Sequence, residues 1–81
     1  MTENELRTIV LAELGNIAPD MDAAALAPEA DIREALDIDS MDFLNFVTAL
    51  HKKLGIDIPE RDYRKLVTLA GAIAYLKEKA R

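Results

Sequence analysis

Leu6, Ile9, Val10, Leu14 and Ile17 recur between polar positions at the intervals that line one face of an α-helix. Thr2 followed by Glu5 has the spacing of a capping box, so a first helix is predicted to open there and to run until Gly15 and Pro19 interrupt it. The clearest helix is predicted from Asp39 to about Leu54. Asp39 can accept hydrogen bonds from the orphan N–H groups of the first turn, and Asp42 sits near the positive end of the helix. At about 100° per residue, Phe43, Phe46, Val47, Leu50 and Leu54 share one broad stripe with Leu44 at its edge. That stripe is expected to face the core. The opposite face holds Met41, Asn45, Thr48 and Lys52, which points the apolar Met41 toward solvent.

Gly55 is placed to stop this helix in the left-handed conformation, and Ile56-Asp57-Ile58-Pro59 reads as an extended connection to a short helical segment ending at Leu66. Thr68 caps a last helix, with Val67 and Ala72 at the staple positions around the cap. Its apolar face is expected to be Leu69, Ile73, Leu76 and Ala80, with Lys77, Lys79 and Arg81 complementing the C-terminal dipole. Between the first two helices the pattern weakens. From Asp20 to Asp37 only Leu26, Ile32 and Leu36 are spaced as core anchors, with a short helical turn expected at Ala23 to Ala27. A connection of that length in a small domain marks either a missed element or a functional segment.

The 81 residues are expected to form one domain, 1–81, with a single modest core that leaves little room for a deep catalytic cleft. With 15 acidic against 10 basic residues the formal charge is -5, which repels phosphate backbones and argues against nucleic acid as a partner. The chain contains no cysteine, so disulfides, thiolate catalysis and the usual zinc sites are excluded and any thiol has to be imported. No basic-then-apolar leader and no long apolar run occurs, so a cytoplasmic, monomeric protein without membrane insertion is expected. Met1 and the compact length favour a free-standing protein over a domain excised from a synthase.

Leu36-Asp37-Ile38-Asp39-Ser40-Met41-Asp42 resembles the Asp-Ser-Leu attachment motif of the acyl carrier proteins, with Met41 in place of Leu. Asp-Ser before a helix is by itself only a cap signal. Here it lies mid-chain after a long loop, Gly55-Ile56-Asp57-Ile58-Pro59 follows at the family's spacing, and Ala72-Ile73-Ala74-Tyr75-Leu76 also matches, so the resemblance spans nearly the whole chain. It implies an all-α, four-helix bundle with a long first loop and a short third helix. It also implies a carrier, not an enzyme: a phosphopantetheinyl transferase would move 4′-phosphopantetheine from coenzyme A to the Ser40 hydroxyl, and acyl cargo would ride on the arm as a thioester. A hydroxyl at a helix start suits an incoming phosphate. The family pattern gives Asp39 a second role, coordinating Mg²⁺ or orienting the hydroxyl in the transferase complex.

The resemblance is partial where many fatty-acid carriers present an acidic stripe. Asp39 and Asp42 remain, but Asn45, His51, Lys52 and Lys53 occupy the positions that would continue it. A specialised fatty-acid, polyketide or other secondary pathway is therefore expected, with Met41, Asp42, Asn45, Thr48 and Lys52 docking acyl-loading and acyl-modifying enzymes. Phe43, Phe46, Val47 and Leu50 are the candidates for lining a cargo cavity, and the bulk of the two phenylalanines points to short or polar cargo; Leu36 and Ile38 are read as core anchors.

Two other readings stay open: an aminoacyl or peptidyl carrier, and an unmodified helical interaction module in which Ser40 merely follows a cap. A serine hydrolase does not. His51, the only histidine, lies eleven residues along the same helix, a rise of about 16 Å. His51 is read as a helix-surface or boundary residue. No metal site is expected either, because Asp20-Met21-Asp22 and Asp37-Ile38-Asp39 have Ala25 and Asp42 where a calcium loop needs glycine.

Overall fold

A computed structural model describes residues 1–80; Arg81, expected to complement the last helix dipole, lies outside the described residues. The elements are α1 (Glu3–Ile17), a 3₁₀ turn (Ala23–Ala25), α2 (Ile32–Ala35), α3 (Ser40–Leu54), a 3₁₀ helix (Glu60–Leu66) and α4 (Leu69–Lys79). The architecture is all-helical, as the pattern predicts.

The capping box at the start of α1 is complete: the Thr2 hydroxyl accepts from the Glu5 N–H and the Glu5 carboxylate accepts from the Thr2 N–H. That contact holds the Glu5 carboxyl below the usual carboxylate range. Leu6, Val10 and Leu14 are fully buried, and α1 packs against both α3 and α4. Gly15 does not interrupt the helix. It sits inside α1 with open space where a Cβ would be, and the helix ends two residues later, before Pro19. A glycine costs a helix only about 1 kcal/mol, which the packing of the buried face outweighs.

The connection after α1 has more structure than its sequence pattern suggests. The 3₁₀ turn is shorter than expected, and α2 was not anticipated. Asp31 caps α2 by accepting from the N–H groups of Arg33 and Glu34, and Ile32 anchors it in the core. Backbone bonds then tie the whole connection to the start of α4: Ile32 N–H to the Val67 carbonyl at 2.7 Å and Ala70 N–H to the Pro28 carbonyl at 2.9 Å. Asp31 and Thr68 form an isolated antiparallel bridge there.

The short third helix is 3₁₀, and the buried face of α4 differs from expectation. Leu69, Ala72, Tyr75 and Leu76 are buried, Ile73 is half-buried, and Ala80 is an exposed cap. Tyr75 can be buried because its hydroxyl donates to Asp62 Oδ2 at 2.7 Å, which satisfies the one polar atom of the ring. Burial and this bond push the Tyr75 hydroxyl up to about 12, while the same bond holds the Asp62 carboxyl below its usual range. Lys79 Nζ lies 5.6 Å from the Tyr75 ring centre.

Two predictions test this arrangement. A Cβ on Gly71 would meet the Lys65 carbonyl oxygen at 2.7 Å and the Thr68 hydroxyl at 2.9 Å, so the close approach of the 3₁₀ helix to α4 needs glycine. Gly71→Ala is expected to cost about 1–3 kcal/mol in urea unfolding, as overpacking against backbone does. The Tyr75 phenol titrates higher in the folded chain than the ordinary value of 10.0, so its contribution is full below that pH and is lost as pH rises toward about 12. Alkaline unfolding monitored by circular dichroism should therefore set in at higher pH for Tyr75→Phe, although that variant loses about 1 kcal/mol at neutral pH.

Candidate functional site

The chain reverses between α2 and α3 through a Schellman closure. Asp37 adopts a left-handed φ of 52°, the Ile38 N–H bonds the Arg33 carbonyl at 3.0 Å, and the Asp37 N–H bonds the Glu34 carbonyl at 3.4 Å. Aspartate tolerates that conformation better than most side chains. The turn buries Leu36 and Ile38 as anchors on either side of it and leaves Asp39 and Ser40 exposed.

At the start of α3 the capping is reciprocal. Asp39 Oδ1 accepts from the Asp42 N–H at 2.8 Å, and Asp42 Oδ2 accepts from the Asp39 N–H at 3.4 Å. Asp42 is therefore half-buried and already committed to the helix start. Ser40 is the first residue of α3 and is exposed. Its own N–H and that of Met41 belong to the first turn, where no intrahelical acceptor exists.

A groove of about 460 Å³ opens beside Ser40, with Met41, Phe43, Leu44, Tyr63 and Val67 among its walls. Met41 is 63% exposed, which answers to the position that helical geometry assigned it. Asn45, Thr48 and Lys52 are exposed farther along α3. Of the four residues suggested for a cargo cavity, Phe43 alone lines this groove. Phe46, Val47 and Leu50 face the other way and are sealed in the core, with Phe46 and Phe43 ring centres 6.0 Å apart. Their helical spacing identified the buried stripe but not what lay behind it.

His51 is distant from Ser40 in role as in sequence. Its Nδ1–H donates to the Ile56 carbonyl at 2.7 Å, and Gly55, at a left-handed φ of 66°, ends the helix beside it. No group of three or more metal-ligating side chains suited to a metal ion occurs among the described residues. The site thus holds a presented hydroxyl at a helix start, directly after the capping carboxylate of Asp39 and remote from the one histidine.

The profile of a family described as a phosphopantetheine attachment site matches residues 4–76, which include this whole arrangement. The chain belongs to the acyl carrier protein family. It is 33% identical over 69 residues to an acyl carrier protein of Helicobacter pylori (strain G27), covering 85% of this chain and 83% of that one. With an acyl carrier protein of Nitratidesulfovibrio vulgaris it shares 32% identity over 77 residues, 95% of each chain. The solved acyl carrier protein from Enterococcus faecalis superposes with a TM-score of 0.81 at 26% identity, over 98% of this chain and 99% of that one.

Acyl carrier proteins are carriers, not enzymes, and their prosthetic group is a covalently attached 4′-phosphopantetheine. An exposed serine hydroxyl on the first turn, with unpaired N–H groups for a phosphate and an adjoining groove, fits that group. No helix of the described residues is long and apolar enough to cross a membrane.

The cap is open to direct test. Asp39→Ala is expected to cost about 1 kcal/mol in chemical denaturation, whereas Asp39→Asn, whose side-chain oxygen can still accept from the first turn, should lose only a few tenths. Equal losses would assign the contribution to the charge and not to the hydrogen bond.

Proposed function

We propose that this protein carries acyl intermediates as thioesters on a 4′-phosphopantetheine arm attached to Ser40. The observation that carries the proposal is the placement of Ser40: exposed, first in a helix capped on both sides of it, and beside an open groove. In the transferase complex the Ser40 oxygen attacks the pantetheine-bearing phosphorus of coenzyme A. The phosphoanhydride bond breaks, adenosine 3′,5′-bisphosphate leaves, and the serine proton passes to a base of the transferase. Asp39 binds Ser40's turn through Oδ1 only, and Oδ2 has no hydrogen-bond partner among the described residues. That second oxygen is free to meet Mg²⁺ or orient the hydroxyl. The whole chain, 1–81, acts as one carrier domain in the cytoplasm.

The pathway is a specialised one. The acidic character of α3 stops after its first turn: Asp42 is followed on the exposed surface by Asn45, Thr48, His51, Lys52 and Lys53. Partner enzymes dock on Met41, Asp42, Asn45, Thr48 and Lys52, a surface that runs from the apolar Met41 through the polar Asn45 and Thr48 to a basic end at Lys52. Full burial of Phe46, Val47 and Leu50 supports short or polar cargo that stays out of the core. Each methylene lying in an open groove gains less than the roughly 0.8 kcal/mol of full burial.

Incubation with coenzyme A, Mg²⁺ and a broad-specificity phosphopantetheinyl transferase should add one phosphopantetheine by intact mass to the chain and none to Ser40→Ala. A folded sample that several transferases leave unmodified would instead favour an unmodified interaction module. The pathway reading has its own test. Placing acidic residues at 45, 51, 52 and 53 should raise loading by fatty-acid-synthesis enzymes; loading that is already efficient and stays unchanged refutes it.

A further inference from the structure

The two flanks of Ser40 carry opposite charge. On one side a crevice is rimmed by Asp20, Asp37 and Asp42. On the other, the groove is lined by Ser40 together with Arg33 from α2 and Arg64 from the 3₁₀ helix, against a single carboxylate, Glu60. In a chain of net charge -5 such a basic flank needs a reason. The two ion pairs among the described residues, Lys65–Asp62 and Lys77–Glu3, engage neither arginine. Between the arginines the walls are apolar: Met41, Phe43, Leu44 and Val67.

From this juxtaposition we propose that Arg33 and Arg64 are positioning residues for the prosthetic arm, holding it by charge to this flank of Ser40. The arginines draw in the phosphodiester next to Ser40, and the apolar walls take the hydrocarbon part of the pantoyl unit. This rests on Ser40 being the attachment site. A phosphodiester bonded to Ser40 is an anion that the aspartate flank repels and the arginine flank attracts. Guanidinium groups match phosphate oxygens in geometry as well as charge. The exposed first-turn N–H groups of α3 favour the same anion without choosing a side. Direction comes from the arginines, which makes them positioning residues: they set on which face the thiol, and hence the cargo, is offered to a partner.

Neither side chain holds the fold. The backbone of Arg33 participates in the turns around α2, but its guanidinium and that of Arg64 make no hydrogen bond among the described residues and both residues are exposed. Replacing them should leave the helices intact.

The chain has no cysteine, so the arm's thiol is the one place a thiol-reactive nitroxide can attach. The holo protein, verified by intact mass as carrying one arm, is labelled and its amide relaxation measured by NMR. Broadening is expected to be stronger at Tyr63, Arg64 and Val67 than at Ala18, Asp20 and Met21. The bias should be lost in the Arg33→Gln/Arg64→Gln variant, and also near 1 M salt, where the Debye length falls to about 3 Å. Equal broadening of both flanks, or a bias that survives the double substitution, overturns the proposal. A missing mass gain is read before any NMR and overturns the attachment reading beneath it, so the two failures are told apart.

Discussion

The pairing of the long connection with the start of α4 is the constraint on which the rest depends. Residues 18 to 39 hold too few apolar side chains to fold by themselves, and their two short helical pieces are below the length at which a helix persists alone. What fixes them is backbone: Ile32 N–H to the Val67 carbonyl and Ala70 N–H to the Pro28 carbonyl. These bonds also satisfy a first-turn donor of α4, so one contact closes two elements. With α2 held there, the left-handed turn at Asp37 can aim α3, and Ser40 arrives beside the 3₁₀ helix that forms the other wall of its groove.

The same economy appears at the two ends of the 3₁₀ helix. Gly71 lets α4 approach the Lys65 carbonyl closely, and Tyr75 reaches back to Asp62 near the other end. A 3₁₀ helix has weak internal hydrogen bonds, so its position is set by neighbours more than by its own propensity. For a carrier this matters, because Tyr63, Arg64 and Val67 of the groove stand on or just after that helix.

In an acyl carrier protein the chemistry is divided between chain and cofactor. The protein offers a hydroxyl, a capped helix start and a shaped surface; the reactive sulfur is imported by a chain without cysteine. Burial follows the same division. The apolar stripe of α3 is consumed by the core, leaving Met41, Leu44 and the polar positions beyond them exposed.

Features that depend on neighbours along the chain can be read from residue order. Thr2 and Asp39 as caps, Gly55 as a left-handed stop, the buried stripe from Phe43 to Leu50 and the exposure of Met41 all follow from local hydrogen bonding and helical periodicity. The Asp39-Ser40-Met41 motif that carries the family resemblance was legible for the same reason, being contiguous at a helix start. Asp31 with Glu34 three residues on was a readable signal for α2, but a four-residue helix is too short for periodicity to declare it. The rest was set by contacts between distant segments. Whether Tyr75 or Ala80 faced the core depended on Asp62 waiting for a hydroxyl. That Phe46, Val47 and Leu50 were sealed away from any groove depended on the core into which α1 packs against α3. The meeting of Arg33 and Arg64 beside Ser40 depended on backbone bonds between segments more than thirty residues apart, which no local pattern encodes.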